Sequence, residues 1–513
     1  MSIVIFIYFK TLFHVTQKGI KITLLQFFYI VFRGEFFSSI NSFLETVLFF
    51  DILFGTVKGA NLPFLVVWLI SGGVYLTFKT KFINVRALRH SFNIVRGKYN
   101  TVDDVGIISS FGALTTALSA TVGLGNIAGV ALAVAIGGPG ATFWMIVAGF
   151  LGMSLKFTEV TLSIQYREFL KDGTVMGGAM EYLSKGLAKK GYPSFGKTLA
   201  VIFAFLMIGG AIGGGNIFQV SQAYSAISHE VPYFAENPLI FGFIIAGLTG
   251  TVIIGGVKRI AHITETLVPF MSLIYIGASI WILGNHFDKI GDAFSIIFHE
   301  AFSTSAVYGG MLGAIVQGFQ RAVFSSEAGI GSSPVAHAPA KTKYPVRQGL
   351  VALYEPFIDT VVICTMTALV IVITGVYAHD GAYIALIEAK EGAALTSVAY
   401  GTVIDWFPTI LSVSIFLFAF STMISWSYYG ERAWVYLFGS KFSIVYKIMF
   451  LSLSVIATVV GTGIMVDFSF MLMLAMALPN ILGLFILSGD VKRQLEEYMA
   501  KLKSGELDAE AIR

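Results

Sequence analysis

Charged residues, cysteine and metal-binding motifs are scarce in this 513-residue sequence, and each scarcity excludes a class of protein. Charged residues make up 12% of the chain, against about a quarter in soluble domains, so its surface cannot face water on all sides. The single cysteine, Cys364, lies in an apolar run and excludes both a disulfide framework and a cysteine-rich metal site. The eight histidines lack metal-ligand spacing such as His-Glu-x-x-His, and the serines lack the context of a nucleophile elbow. Neither a P-loop nor any sign of nucleic-acid binding is present.

Apolar residues are abundant instead: they form 56% of the chain, and the mean hydropathy is +0.79. Segments near the 20-residue length that crosses a hydrocarbon core recur along the sequence. The fold class that they predict is all-α, a polytopic membrane protein with about eleven transmembrane helices. The predicted spans are residues 61–77, 109–133, 140–163, 198–226, 238–257, 264–284, 306–331, 349–376, 408–428, 444–464 and 467–488.

The distribution of basic residues orients these spans. Cytoplasmic loops of membrane proteins carry an excess of Lys and Arg. The predicted outer segments after residue 133 contain only Lys289 and Lys390 of the 34 basic residues. This asymmetry predicts a cytoplasmic C-terminus.

The chain divides into a predicted N-terminal extension (1–45), an extra transmembrane helix with a cytoplasmic linker (46–107), a core (108–489) and a tail (490–513). The extension has short apolar runs interrupted by lysines, so a targeting segment, an interfacial helix and sequence upstream of the true start all remain open. The tail places four apolar residues on one helical face and is predicted to be a short cytoplasmic amphipathic helix.

Two predicted spans are interrupted in the same way. One reads Ser-Ala-Thr-Val-Gly-Leu-Gly-Asn over residues 119–126, and the other reads Ser-Ser-Glu-Ala-Gly-Ile-Gly-Ser over residues 325–332. They lie five spans apart, and an odd separation gives them opposite orientations. The pattern predicts a ten-helix core of two inverted repeats, 108–285 and 305–489, with a binding site where the broken helices meet.

Such breaks are informative because unwound backbone in hydrocarbon leaves N–H and C=O groups without partners, at a cost of several kcal/mol each. Carbonyls at the end of one half-helix can coordinate a cation, and amides at the start of the next suit a carboxylate. The alternative is that these glycines serve helix packing, as in Gly125-x-x-x-Gly129.

Three stretches resemble the alanine or glycine:cation symporter family: Thr121–Gly140, Arg321–Lys343 and Phe418–Arg432. The resemblance extends from about Asn41 to Asp490. It implies the five-plus-five inverted-repeat transporter fold, and the import of small neutral amino acids, alanine or glycine, with Na⁺ or less often H⁺. It further implies a bacterial inner-membrane protein that contacts lipid and uses no cofactor besides Na⁺ as coupling ion.

Within the ten-helix core, the predicted spans 109–133, 306–331 and 408–428 are the first, sixth and eighth helices. The resemblance also implies an ion site between the first and the eighth. Its ligands are the carbonyls of Ser119, Val122 and Phe418 and the hydroxyls of Ser421 and Thr422. The i, i+3, i+4 spacing of the last three puts their oxygens on one helical face, and neutral oxygens suit a monovalent cation. The alternative is that Ser421 and Thr422 bond back to their own helix.

For the amino acid, the implied ligands are the backbone amides near Gly123, Leu124 and Gly125, which face the carboxylate. Side chains of Thr121 and Asn126 add contacts. Carbonyls and hydroxyls of the sixth core helix, around Ser325, Ser326 and Gly329, accept from the ammonium. Gln219 and Trp426 form walls of the site. For Trp426 a packing role remains the alternative.

Charges inside membranes are functional by default. Arg321 and Glu327 lie near the second break and are predicted to pair. Glu355 and Asp359, four residues apart, either orient the unwound segments, form a proton-responsive pair, or form a structural pair near the cytoplasmic end.

Three further polar residues are predicted to have ordinary roles. Lys156 and Glu159 are expected to snorkel toward the inner interface, and His337 is placed in an inner loop.

Two other function classes compete with a carrier. A passive channel needs a ring-like filter around an oligomer axis, whereas the unusual residues here occur once in each inverted half. A membrane enzyme needs a catalytic constellation, which the sequence lacks. Na⁺ and H⁺, and glycine, L-alanine and D-alanine, all remain compatible with these residues.

Overall fold

A computed structural model describes residues 42, 45, 46, 49–54, 61–171, 173–303, 310–379, 381–459 and 462–511. Within these ranges the chain is almost wholly helical, and its one sheet is a two-stranded antiparallel hairpin of β1 (Glu168–Phe169) and β2 (Val175–Met176). The predicted all-α fold is therefore confirmed. The predicted N-terminal extension lies almost entirely outside the described residues.

The main helices of the described chain are α1 (Phe64–Lys79), α2 (Ser110–Thr121), α3 (Val130–Gly137), α4 (Gly140–Tyr166), α5 (Pro193–Glu230), α6 (Pro238–Ile253), α7 (Gly256–Asn285), α8 (Phe287–Ala301), α9 (Gly310–Ser326), α10 (Pro334–His337), α11 (Pro345–Thr374), α12 (Gly392–Gly401), α13 (Phe407–Phe438), α14 (Ser443–Ile456), α15 (Thr462–Ala475) and α16 (Ala477–Ser504). Shorter helical segments in the connections are Ile83–Arg86, Leu88–Val95, Ala179–Glu181, Tyr182–Gly186, Leu187–Lys189, Pro232–Glu236, Ile384–Glu388, Ser440–Phe442 and Glu506–Glu510.

Six of the described helical segments are long and apolar enough to cross a membrane, and the bent α2–α3 pair makes a seventh. Two more apolar helices, α1 and α6, have 16 residues each. The two remaining predicted spans correspond to the shorter helices α9 and α14, and the α15–α16 segment is one of the six long ones. Helices α8 and α12 lie in connections that the sequence pattern predicts to be loops.

Both predicted interruptions are present, but they differ in form. Helices α2 and α3 meet at a bend of 49°. Helix α9 ends at Ser326, and the backbone then takes positive φ at Glu327, Gly329 and Gly331 before the four-residue helix α10. The second interruption is therefore longer than the first, and it leads into a short helical turn.

Small residues let α4 pack closely against the rest of the bundle. A Cβ on Gly152 would lie 2.8 Å from the Cβ of Ala328, and one on Gly349 of α11 would lie 2.1 Å from Oγ1 of Thr161 on α4. This is the close helix approach that small residues allow in membranes. It places the segment after α9 directly against α4.

The predicted tail is continuous with the last membrane helix. Helix α16 runs without a break from the core into the region after residue 490, and Leu495 and Tyr498 are buried. The expected apolar face therefore packs onto the protein.

Candidate functional site

The unwound turn between α2 and α3 has its amides satisfied by side-chain oxygens. The Gly123 N–H donates to Oδ1 of Asn126 (2.9 Å), and the Leu124 N–H donates to Oε1 of Gln219 on α5 (3.3 Å). All four residues are buried. The turn therefore presents polar backbone groups in the middle of the bundle, as its sequence predicts.

Asp359 of α11 joins the two interrupted helices. Its carboxylate accepts from Nδ2 of Asn126 (2.6 Å) and from Oγ of Ser325 at the end of α9 (2.9 Å). The Thr360 hydroxyl donates to the same carboxylate (2.7 Å), and the Cys364 thiol lies 3.3 Å from both Asn126 and Ser325. One fully buried carboxylate thus holds both breaks in register.

Oxygens of α2 and α13 also converge. The Ser119 hydroxyl donates to the Ser421 carbonyl (2.6 Å), and the Thr422 hydroxyl donates to the Ser119 carbonyl (3.1 Å). The Ser421 hydroxyl donates to the Phe418 carbonyl (3.0 Å) in its own helix. Of the two alternatives for these hydroxyls, Ser421 bonds back to its helix, whereas Thr422 reaches across to α2.

Two glycines of the turn are required by space. A Cβ on Gly123 would lie 2.3 Å from Oγ1 of Thr422, and one on Gly125 would lie 3.2 Å from Cα of Ser325. Glycine therefore lets the turn contact α13 on one side and α9 on the other.

Gln219 and Trp426 lie on neighbouring helices beside this turn. The Gln219 amide donates to the Gly214 carbonyl (2.9 Å) while its oxygen accepts from Leu124. Trp426 packs against Gly215, where a Cβ would lie 2.2 Å from the Cβ of the tryptophan. The indole is buried in a helix contact, consistent with the packing alternative.

Helical segments with an extra residue per turn surround the site. Such π segments are frequent at functional sites. The π segment Gly125–Gly129 contains Asn126, and Phe357–Cys364 contains Asp359. The third, Gly213–Ile217, ends two residues before Gln219. The segment in α11 turns Asp359 toward the breaks and away from Glu355, so these two acids form no pair with each other.

The break after α9 separates three predicted ligands. Ser325 faces Asp359, but the Ser326 hydroxyl donates to the Ala322 carbonyl of its own helix (2.8 Å). The Gly329 carbonyl accepts from Nδ2 of Asn480 on α16 (2.8 Å). Only Ser325 of the three therefore contacts the cluster around Asn126. Thr121 likewise bonds within α2, to the Leu118 carbonyl (3.4 Å).

A buried charge network supports this second break. Nζ of Lys156 on α4 lies 3.0 Å from the Glu355 carboxylate and donates to the Ser333 hydroxyl (2.5 Å). Oε1 of Glu355 lies 2.6 Å from Nε2 of His337, and Nδ1 of that ring lies 2.7 Å from the Gln348 amide. These side chains are fully buried or nearly so. The expected snorkelling of Lys156 was therefore wrong, and His337, predicted to lie in an inner loop, takes part in a buried network.

A second set of buried polar groups lies beside the first. Asn480 donates to the Glu159 carboxylate (2.6 Å) as well as to Gly329, and the Tyr182 hydroxyl donates to Asn480. Glu327 accepts from the Ser332 hydroxyl across the loop of positive φ. Glu159 is fully buried, so its expected snorkelling was also wrong.

The predicted pair of Arg321 and Glu327 is not formed. The Arg321 guanidinium lies 4.8 Å from the centre of the Phe470 ring on α15, whereas Glu327 faces Ser332. Arg321 belongs to α9, whereas Glu327 follows the end of that helix with a positive φ, so the two side chains face different partners. Phe324 bridges this region, with its ring 4.9 Å from Phe218 and 5.6 Å from Phe470.

Several site residues were missed from the sequence. Cys364 and Thr360 follow Asp359 on one π segment, and Asn480 stands alone in an apolar run. A buried amide in a membrane span requires a partner, and this was the available signal for Asn480.

Two interrupted, oppositely oriented helices that face each other inside a multi-pass bundle define a secondary transporter of the inverted-repeat class. The solved structure of MhsT in complex with L-phenylalanine has this fold. It superimposes with a TM-score of 0.50 at 17% identity, covering 71% of this chain and 81% of that one.

Within this class, the profile of the sodium:alanine symporter family matches residues 48–512, and the chain belongs to that family. The sodium/alanine symporter AgcS of Methanococcus maripaludis is 40% identical over 437 residues, 85% of this chain and 94% of the relative. A Bacillus subtilis protein named "Probable sodium/glutamine symporter GlnT" is 34% identical, over 86% and 89%. The chain is thus a multi-pass membrane protein that carries out cation-coupled amino-acid symport, and it is no enzyme.

Proposed function

We propose that this chain imports alanine or glycine together with Na⁺, at the junction of the α2–α3 turn, the end of α9 and the middle of α13. The observation that carries the proposal is the paired geometry: Asn126 and Ser325, one from each break, share the Asp359 carboxylate. We place the C-terminus in the cytoplasm on the distribution of basic residues, and the protein in the bacterial inner membrane on its family membership.

The proposed sodium ligands are the carbonyls of Ser119, Val122 and Phe418 and the hydroxyls of Ser421 and Thr422. Ser119, Ser421 and Thr422 are already linked by hydrogen bonds across α2 and α13, and Phe418 accepts from Ser421 within α13. A hydroxyl that donates to a carbonyl can rotate its proton away, after which both oxygens face a cation. Neutral oxygens suit Na⁺, and the ion would stabilise the contact between the two helices.

The proposed substrate carboxylate site is the set of amides at Gly123, Leu124 and Gly125. In this structure side-chain oxygens of Asn126 and Gln219 accept from two of them. Those two oxygens lie where the substrate carboxylate would accept from the same amides. Both side chains would therefore have to reorient when the substrate binds. The Ser325 hydroxyl is the proposed partner of the ammonium group, whereas Thr121, Ser326 and Gly329 have weaker support because they face other partners.

Coupling to one Na⁺ is energetically sufficient. An inward Na⁺ gains about 2.3 kcal/mol per 100 mV and about 1.4 kcal/mol for a tenfold gradient, which supports an accumulation of about several hundred-fold for a neutral zwitterion. The sequence predicts Trp426 as a wall that limits substrate size, but the indole packs against Gly215 between two helices, so it lends this prediction no support.

The test is sodium-dependent uptake of labelled alanine into proteoliposomes, with glycine and glutamine as competitors. Thr422→Val keeps the shape but removes the oxygen, so the sodium concentration for half-maximal uptake should rise about tenfold, the value of one lost hydrogen-bond ligand. Ser427→Ala is the matched control, because the Ser427 hydroxyl donates only to Ile424 of the same helix (2.7 Å) among the described residues.

An unchanged sodium dependence in Thr422→Val would refute the ion site. Uptake indifferent to both Na⁺ and pH would refute cation-coupled alanine import. Uptake driven by a proton gradient in sodium-free medium would favour the alternative, H⁺ coupling, for which the buried Asp359 is the acid nearest to the site.

A further inference from the structure

A basic groove lies where the end of α1 meets the end of α16. Its volume is about 240 Å³, and it is lined by residues of α1, of the turn after that helix, and of α16 beyond residue 490. The charged residues that line it are Lys79, Lys81, Arg86, Lys492, Lys503 and Glu496. The groove lies far along the chain from the residues of the proposed amino-acid site, and its assignment does not depend on that site.

The groove has an uncompensated positive charge. Its single carboxylate, Glu496, lies 3.1 Å from Nζ of Lys81 and 4.0 Å from Nζ of Lys492. Lys79, Arg86 and Lys503 form no ion pair with a carboxylate in the described part of the chain. A concave surface lined by charges of one sign attracts the opposite charge, so the groove is suited to an anion.

The surface next to these cations is apolar and exposed. Phe78, Phe82 and Val85 are 64%, 43% and 56% exposed, and they lie within the same nine residues as Lys79, Lys81 and Arg86. The Phe78 and Phe82 rings contact each other edge to face, with centres 5.2 Å apart. Aromatic and basic side chains at the end of a membrane helix mark the boundary between hydrocarbon and headgroups.

A free anion would use the cations but not the exposed rings. A ligand with both an anionic head and an apolar tail would use both surfaces at once. Clusters of four or more basic residues beside a membrane helix are typical of binding to anionic lipid headgroups, with about 1 kcal/mol for each cation near the surface.

We propose that this groove binds the phosphate headgroup of one anionic phospholipid, whose acyl chains lie against Phe78 and Phe82. The bound lipid links the first helix, outside the ten-helix core, to the end of the last core helix. The volume of the groove fits a headgroup, and the chains remain in the bilayer.

The test is native mass spectrometry of the full-length purified protein titrated with phosphatidylglycerol, with phosphatidylcholine in parallel. The double variant Lys79→Gln/Arg86→Gln removes two unpaired cations from the groove. The apparent dissociation constant of the first phosphatidylglycerol should rise about ten- to thirty-fold. The matched control is Lys258→Gln/Arg259→Gln, an exposed Lys–Arg pair on the same predicted side of the membrane, which should change that constant less than twofold.

Two results would overturn the proposal. Equal weakening in both double variants would mean that phosphatidylglycerol responds to overall charge, without a site. Displacement of the lipid by glycerol 3-phosphate at comparable concentration would mean that the groove is a site for free phosphate compounds. Selective loss in the groove variant, with glycerol phosphate ineffective and phosphatidylcholine unaffected, would support a lipid site.

Discussion

At the turn between α2 and α3, the freed backbone groups meet neutral amides and hydroxyls, whereas the loop after α9 is held by charged side chains from other helices. Asn126 and Gln219 satisfy the first break with hydrogen bonds that a small ligand can replace. Lys156, Glu355 and Asn480 hold the second through fully buried contacts. Neutral contacts are inexpensive to exchange, and buried charges are costly to separate.

From this difference we infer that the two breaks, although similar in sequence, have different roles. Under the proposed function, the first break would exchange partners when an ion and an amino acid bind. The second would keep its shape, and its Ser325 contacts Asp359, the carboxylate that both breaks share. Substitutions in each break can test that division, and the largest effect is expected in the buried charge network.

Lys156→Met should destabilise the protein most. It leaves the Glu355 carboxylate fully buried beside His337 without its cation, and breaking a buried ion pair in this way costs about 3–5 kcal/mol. Thermal unfolding in detergent and alanine uptake measure the effect. Lys156→Met/Glu355→Leu removes both charges and should recover part of the stability. A matched control, Lys190→Met, breaks the partly exposed pair with Asp490 and should have little effect. Unfolding of Lys156→Met at the wild-type temperature would mean that the charges do not support the break.

Asp359→Asn should have a smaller effect on stability but a clear one on transport. The asparagine cannot accept from Asn126, Ser325 and Thr360 together, so at least one buried donor loses its partner, at about 1–3 kcal/mol. We expect the KM for alanine to rise, because the two breaks are no longer held in register. The control is Asp405→Asn, an exposed acid in another connection. A wild-type KM in Asp359→Asn would show that the breaks bind substrate without a shared carboxylate.

Substitutions of two glycines should have effects no larger than that of Asp359→Asn, and the two effects should differ in kind. Gly123→Ala puts a methyl group against Oγ1 of Thr422. This overpacking, of about 1–3 kcal/mol, should raise the sodium concentration for half-maximal uptake. Gly329 has φ +86, and a Cβ added there would meet no atom closer than 3.3 Å, so Gly329→Ala should lower the unfolding temperature through about 1–2 kcal/mol of backbone strain. Sodium half-saturation should be unchanged in Gly329→Ala. The reverse pattern would contradict the comparison of the two breaks.

The breaks themselves could be predicted because glycines and polar residues recur in both spans at matching positions. Their surroundings could not be predicted to the same degree. Spacing put Lys156 near the end of a span, but it cannot show that the loop after α9 folds over that position and seals it from water. Asn480 belongs to no motif that recurs in the other inverted repeat, so no sequence pattern linked it to the second break. The π segment at Phe357–Cys364 changes which way Asp359 faces, and an ideal helical wheel therefore wrongly pairs that residue with Glu355.

Helix α16 connects the centre of the membrane to the surface of the protein. Asn480 near its start holds the Gly329 carbonyl, and Tyr498 toward its end is buried and hydrogen-bonded to His90 (3.0 Å). About eighteen residues of continuous helix separate them, a length of about 27 Å. No loop interrupts the chain between these two hydrogen bonds, so a displacement of the tail would reach the Gly329 carbonyl through a single helix.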